Sequence, residues 1–456
     1  MRRTIEGDPA SEARGRDRNR RIGATALASA GAKGIAILAG LMTVPLTIHS
    51  LGPEQFGLLT TITSATALLV GVADLGLSNG LISAISEAHG KNDRGLARKS
   101  VSSAFYMLAL VSAVLGIVFI VIYDSVAWGQ LFNATSAGAV AIAGPAVATM
   151  MFLTLVGLPL GTVNSVQLGY QQGYRSSVWA AAGSVIALAA IAVAAANHAA
   201  LPVFVLAIAG GPLVANSLNW AAAVHRQPWL LPRIGELGLA TTKHLLRVGS
   251  LFFVLQVAAL AGWQVDNIIV AQILGASAVT QYAVPMKLFM VIPMVLGFAF
   301  LPLWPAYREA LVRGDKGWVR RTYRRSMMAA IVFSVPTSAL LVVLGGPIIH
   351  WWVGPSVTPP TVLLLALAAW TVVLSVTSAN AMLLNGAHVI GFQVVSAVFM
   401  VSANVVISII ATQRIGVSGP AWGSAISVLV FDVVPCTWYS LRILRREALS
   451  IAAPSR

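Results

Sequence analysis

Asp93-Arg94-Gly95-Leu96-Ala97-Arg98-Lys99 returns in the later part of the chain as Asp315-Lys316-Gly317-Trp318-Val319-Arg320-Arg321. Each copy opens a hydrophilic link that follows the second of two long apolar stretches. A second pair keeps nearly the same spacing. Leu51-Gly52-Pro53-Glu54-Gln55-Phe56-Gly57 is matched by Leu274-Gly275-Ala276-Ser277-Ala278-Val279. Self-similarity at one offset means that the chain is two copies of one unit.

Outward from these links, the apolar stretches reach the ~20 residues needed to cross a hydrocarbon core about 30 Å thick. About twelve are predicted, at 22–50, 56–86, 101–123, 138–163, 177–196, 201–224, 248–274, 278–305, 327–349, 359–384, 392–412 and 419–441. They are numbered here as spans 1 to 12. The composition agrees: of 456 residues 57% are hydrophobic and only 10% charged, against about 25% charged in soluble chains. A soluble fold is excluded, and the single Cys436 excludes an internal disulfide or a cysteine-based zinc site. The fold class is all-α, a polytopic membrane protein. Six spans per copy is an even number, so the copies run the same way and form two parallel six-helix bundles, related by an axis along the membrane normal. The expected organisation is a basic tail at 1–21, a first lobe at 22–224, a linker at 225–247, a second lobe at 248–442 and a tail at 443–456. The linker, with Pro228, Pro232 and a basic amphipathic stretch, reads as a helix at the membrane interface.

The formal net charge of +15 and a pI near 10.7 invite a nucleic-acid reading, which the positions of the charges exclude. Of the 30 Lys and Arg, 27 fall on the two tails and the even-numbered links. Arg414 alone falls on an odd link, and Lys33 and Lys287 fall within spans. This asymmetry is the positive-inside rule, which assigns both termini to the cytoplasm. A nucleic-acid site would gather its basic residues on one folded face. Ile22 to Leu27 is too short for the apolar region of a cleaved signal, so span 1 is expected to be retained after a disordered basic tail.

Ionisable residues within spans are costly and are candidates for function. They are Lys33 in span 1, Asp74 in span 2, Asp266 in span 7, Lys287 in span 8 and Asp432 in span 12. The two lysines lie near mid-depth, one in each half, and suit an anionic ligand; pairing with a nearby Asp or a carbonyl is the alternative. Asp74 sits among Gly71, Gly76 and Gly80, where it can bond amides freed by a kink or couple an ion. Asp266 and Asn267 follow Trp263 and Gln264 as a polar cluster suited to a cleft or a cation. Asp432 stands apart and reads as one half of a structural pair. No nucleotide loop, hydrolase elbow or metal spacing occurs, so neither ATP nor a metal is expected to act in this chain.

Four motifs then carry a family resemblance. They are Leu51-Gly52-Pro53-Glu54-Gln55-Phe56-Gly57-Leu58, Ala73-Asp74-Leu75-Gly76-Leu77-Ser78-Asn79-Gly80-Leu81, Asp266 followed by Leu274-Gly275 and Gln281-Tyr282-Ala283-Val284-Pro285-Met286-Lys287, and Gly314-Asp315-Lys316. In this order the chain resembles the bacterial polysaccharide flippases of the O-antigen and teichoic-acid exporter type. These belong to the multidrug, oligosaccharidyl-lipid and polysaccharide exporter superfamily. The resemblance implies two bundles around a central cavity lined by spans 1, 2, 7 and 8, in a bacterial plasma (inner) membrane. It implies a lipid-linked oligosaccharide as cargo, joined through pyrophosphate to a polyprenyl chain and moved from the cytoplasmic to the outer leaflet.

The expected protein is therefore a transporter and not an enzyme, working by alternating access. Lys33 and Lys287 would hold the pyrophosphate; Trp263, Gln264, Asn267 and Tyr282 would meet the sugars; Asp74 and Asp266 are the candidates for ion coupling. Its partners are the lipid-linked oligosaccharide, membrane lipids and neighbouring polysaccharide polymerases or glycosyltransferases, with no cofactor beyond a coupling proton or sodium ion. The alternative is a cation-coupled multidrug antiporter of the same fold, which prefers acidic residues in the cavity. A membrane glycosyltransferase would need catalytic side chains on large outer links, and the longest, 124–137, carries one acid and no histidine.

Overall fold

Within hydrocarbon a backbone amide finds no partner but a carbonyl of its own segment, so an apolar chain crosses as a helix. The computed structural model describes residues 9–300 and 303–452, with side chains over 29–445 except at 251, 252, 255, 259, 263, 301, 302 and 305. All regular structure among these residues is helical. Ten stretches are long and apolar enough to cross. Two of them, Ser29–Ala73 and Ile390–Arg445, hold 45 and 56 residues. At 1.5 Å per residue these span about 67 and 84 Å, more than twice the core, so each is long enough to cross twice. Gly52 (φ 75°, ψ 171°) breaks the first and Gly416 (φ 65°) the second. Twelve crossings are consistent with this arrangement.

The links carry the signature of the repeat. Apart from Leu75 and Gly76, the described residues with positive φ fall in pairs along the two halves: Gly52 with Gly275, Asn92 with Gly314, Asn133 with Gly354, Gln171 with His388, and His198 with Gly416. Every pair stands at nearly the same offset as the repeated motif. The aspartates of the opening motif also play one role. Asp93 accepts the amide of Leu96 at 2.9 Å, and Asp315 accepts that of Trp318 at 3.0 Å. Each is the N-cap of the next span, which satisfies one of the amides that a helix start leaves free.

Four expectations change. Helix begins at Pro9, so residues 9–21 are helical where a disordered tail was expected; a proline in the first turn and good helix formers such as Ala13 favour this. Residues 1–8 lie outside the described residues. Span 2 stops at the Asp74–Leu75–Gly76 turn and resumes as Leu77–Lys91. Span 8 is interrupted at Met290, between Ala276–Phe289 and Val291–Phe300, and helix is described again over Leu303–Val312, with residues 301 and 302 outside the described residues. The linker expected as a helix over 225–247 is helical only at its two ends. Between them Pro228 and Pro232 lack amide hydrogens, and only the short turns Pro228–Leu230 and Ile234–Glu236 form. The segment is instead strapped along span 3. Ser102 and Ser103 accept the amides of Arg233 and Gly238 at 3.1 and 3.2 Å, and Arg98 pairs with Glu236 at 2.5 Å. Span 7 already begins at Leu239 and runs unbroken to Leu274.

Each half has its own apolar core. One gathers Leu77, Leu81, Ile85, Val101 and Leu108 with Leu245; another gathers Val270, Phe289, Leu363, Leu367 and Trp370. The halves meet at two seams. On the arginine-poor face Gly57 lies so close to the second half that an added Cβ would fall 1.7 Å from the carbonyl oxygen of Ala276. Thr280 donates to the Pro53 carbonyl there, and Asn133 donates to that of Ala271 at 3.2 Å. Nearer the arginine-rich face, Gly76 of span 2 and Gly249 of span 7 pack backbone to backbone, beside a 3.0 Å bond from Asn79 to Gln256.

Candidate functional site

Between the two seams lies a cavity of about 610 Å³. Spans 1, 2, 7 and 8 line it as expected, and spans 5 and 6 complete the wall through Ser184, Ala187, Ile191, Ile208 and Pro212. Its one charged lining residue among those described is Lys287, which is exposed to it although it sits mid-span. Gln264 and Asn267 of span 7 line it as well. Asn267 donates to Ser64 across the lobe boundary at 2.9 Å, while its own carbonyl oxygen is buried and has no partner among the described residues. A buried acceptor without a donor is unfavourable by about 1–3 kcal/mol, so this oxygen favours a ligand that brings a hydroxyl.

The two lysines are arranged reciprocally. Lys287, from the second half, sits 5.5 Å from the ring centre of Phe56 in the first. Lys33, from the first half, sits 4.7 Å from the ring centre of Phe298 in the second. Neither makes an ion pair with a described residue. Lys33 is half-buried and lies one turn before Ala36 and Ile37, which line the cavity. Both lysines thus keep hydrogen-bond donors for a ligand, and the aromatic faces attract their ammonium groups at mid-span.

Tyr282, Asp266 and Asp74 are not in the cavity wall. Tyr282 is fully buried and donates to Asp266 at 3.0 Å, which corrects its expected role at the sugar. Asp266 also accepts from Ser424 at 2.6 Å and Ser408 at 3.3 Å. It therefore ties spans 7, 8, 11 and 12 together inside the second lobe. Asp74 accepts the backbone amide of Ser78 at 3.3 Å and its hydroxyl, sealing the start of Leu77–Lys91 at the kink. Asp432 accepts from Thr377 at 2.8 Å and from Cys436. Trp263 has its side chain outside the described residues.

Sequence reasoning passed over the hydroxyls and thioethers of the wall. Thr43, Thr47, Thr60 and Thr63 line it and donate to carbonyls of their own helix at 2.7 to 2.9 Å, leaving oxygen lone pairs free to accept. Met286, Met290 and Met294 line the facing side. Their recurrence once per helical turn, next to Lys287, was a signal that one helix face is neither core nor simple lipid surface.

Residues 22–311 match the family described as polysaccharide biosynthesis protein. The uncharacterized membrane protein EpsK of Bacillus subtilis (strain 168) is 28% identical over 172 residues, 37% of this chain. That match spans about a third (33%) of EpsK itself. In fold, the chain is similar to an inward-facing multidrug resistance MATE family transporter of the MOP superfamily, with TM-score 0.78, 15% identity, and coverage of 93% of this chain and 99% of the other. It is also similar to the lipid II flippase MurJ in an inward closed conformation, with TM-score 0.66, 13% identity and 92% of each chain covered.

Proposed function

Since this chain belongs to the polysaccharide biosynthesis protein family, we propose that it moves a polyprenyl-pyrophosphate-linked oligosaccharide from the cytoplasmic to the outer leaflet by alternating access. The observation that carries the proposal is the exposed Lys287, without an ion pair among the described residues, in the wall of a cavity between two pseudo-repeated halves. Its ammonium meets the pyrophosphate in the cavity, and Lys33, held at Phe298 about 16 Å further along span 8, meets it at another point of its passage. Gln264, Asn267 and the wall threonines meet the sugar hydroxyls. Lysine suits a cargo that must leave again, because its compact ammonium lacks the bidentate grip of arginine. A cationic drug as cargo would want a carboxylate in the wall, and none is present among the described lining residues.

Coupling to a proton or a sodium ion falls in this proposal to Asp266, with Asp74 as the second candidate. Asp266 holds span 8 through Tyr282, and the same span carries Lys287. A change of charge at Asp266 would alter that grip and so bias the position of the lysine.

The test is the leaflet distribution of the lipid-linked intermediate in cells carrying Lys33→Gln or Lys287→Gln. Accumulation on the cytoplasmic side, with normal membrane levels of both variants, is the expected result. Loss of about 2–3 kcal/mol of charge-assisted bonding per lysine would slow export at least tenfold. Lys→Arg at either position should retain part of it. Normal export by both Gln variants would end the pyrophosphate assignment.

A further inference from the structure

The arginine-rich ends of spans 4, 5 and 6 enclose a second cavity of about 290 Å³, which shares no lining residue with the central one. Its floor is the buried pair Gln167 and Asn219, which exchange hydrogen bonds at 2.5 and 3.3 Å. Two arginines stand over that floor. The guanidinium of Arg175 donates to Gln172 at 2.7 Å and to the Tyr174 hydroxyl at 3.1 Å, and lies 5.7 Å from the centre of that ring. Two of its five N–H donors are thus used to orient it. Arg226 is exposed at the other side of the mouth, and no carboxylate is among the described lining residues.

The repeat gives an independent argument. The turn at Gln171 corresponds to that at His388, and the turn at His198 to that at Gly416. Carried across at the offsets of these two turns, Arg175 falls on Phe392 or Gln393, and Arg226 on Ile443 or Leu444. Phe392 stacks on Tyr439 at 4.7 Å. None of these positions carries an arginine in the second half, so Arg175 and Arg226 are not demanded by the repeated architecture.

The mouth also borders an exposed apolar stripe. Val178 lines it and begins a stripe on span 5 with Val185 and Val193, which are 47%, 49% and 63% exposed. We propose that the pocket binds the phosphate headgroup of an anionic glycerophospholipid from the leaflet on the arginine-rich side, with its acyl chains along the Val178–Val193 stripe. Phosphate matches the planar donor fork of arginine, and the aromatic rings of Tyr170, Tyr174 and Trp179 suit the boundary between headgroup and chain.

The purified full-length protein in neutral detergent should retain phosphatidylglycerol in native mass spectrometry and gain thermal stability from it, and should do neither with phosphatidylcholine. Replacement of Arg175→Gln with Arg226→Gln should weaken this by about tenfold for each arginine. Arg320→Gln with Arg324→Gln, on the same face but outside the pocket, should leave it unchanged. Arg175→Phe installs one of the two residues that the second half carries at the corresponding position and gives a second variant should the double one misfold. Phosphatidylglycerol bound as tightly by Arg175→Phe as by the wild type would overturn the proposal. Equal protection by inorganic phosphate would overturn it too, by making the ligand a soluble anion.

Discussion

Tyr282 and Lys287 lie on one helix, about 140° apart around its axis at ~100° per residue, and so they face opposite ways. One enters the core of the second lobe and the other the central cavity. Asp266 and Asn267 divide likewise: the carboxylate collects hydroxyls from three spans, and the amide reaches Ser64 across the seam. Asp266→Leu would leave Tyr282, Ser408 and Ser424 without their acceptor. Interhelical hydrogen bonds in membranes are worth roughly 0.6–1.7 kcal/mol each, so the loss should be about 2–4 kcal/mol, read as a lower thermal unfolding midpoint in detergent. Asp266→Asn keeps an acceptor and should lose less. If Asp266 also couples an ion, export by Asp266→Asn should no longer respond to an imposed proton or sodium gradient. The chemistry of these residues was legible, because a charge or amide in an apolar span stands out. Their direction was not, since the phase of each helix depends on which neighbour takes which face.

The turns between spans show the same division at the next scale. Gly52 and Gly275 could be read from sequence because glycine is the natural occupant of positive φ. Asn92, Asn133, Gln171, His198 and His388 adopt it as well, and their type announces it less clearly. The linker misled because its composition suits an interfacial helix, whereas two prolines and two serines of span 3 decide its path. The seam on the arginine-poor face yields a further expectation. Gly57→Ala puts a methyl group where the Ala276 carbonyl stands, so that seam must part. A cysteine at Thr60, just beyond it, should then react faster with an impermeant thiol reagent than the same cysteine in the parent protein. Gly40→Ala faces open space and should leave the rate unchanged. Equal rates in all three proteins would mean that this seam does not gate the cavity.

At the scale of the molecule, the two parallel halves and the membrane class were visible in charge placement and the repeat alone. The participation of spans 5 and 6 in the cavity wall was not, because their lining residues are small or aliphatic and carry no chemical mark. Orientation is tested by the distribution of thiol labelling. Cys436 is the sole native cysteine and is buried, so it contributes little background. Cysteine at Ser125 or Pro355 should label from outside the cell, and cysteine at Asn92 or Asp315 should not. The opposite pattern would overturn the proposed direction of transport. The reciprocal lysine–phenylalanine contacts have a further consequence for how tightly such a carrier runs. Each is worth ~0.5–2 kcal/mol, and both span the two halves, so together they disfavour separation of an unloaded molecule by a factor between about five and about a thousand. An anion that draws the ammonium groups off their rings removes that restraint. If, as proposed, these lysines meet the cargo and the cycle is coupled to an ion, the same contacts would suppress idle turnover, which dissipates an ion gradient with nothing carried.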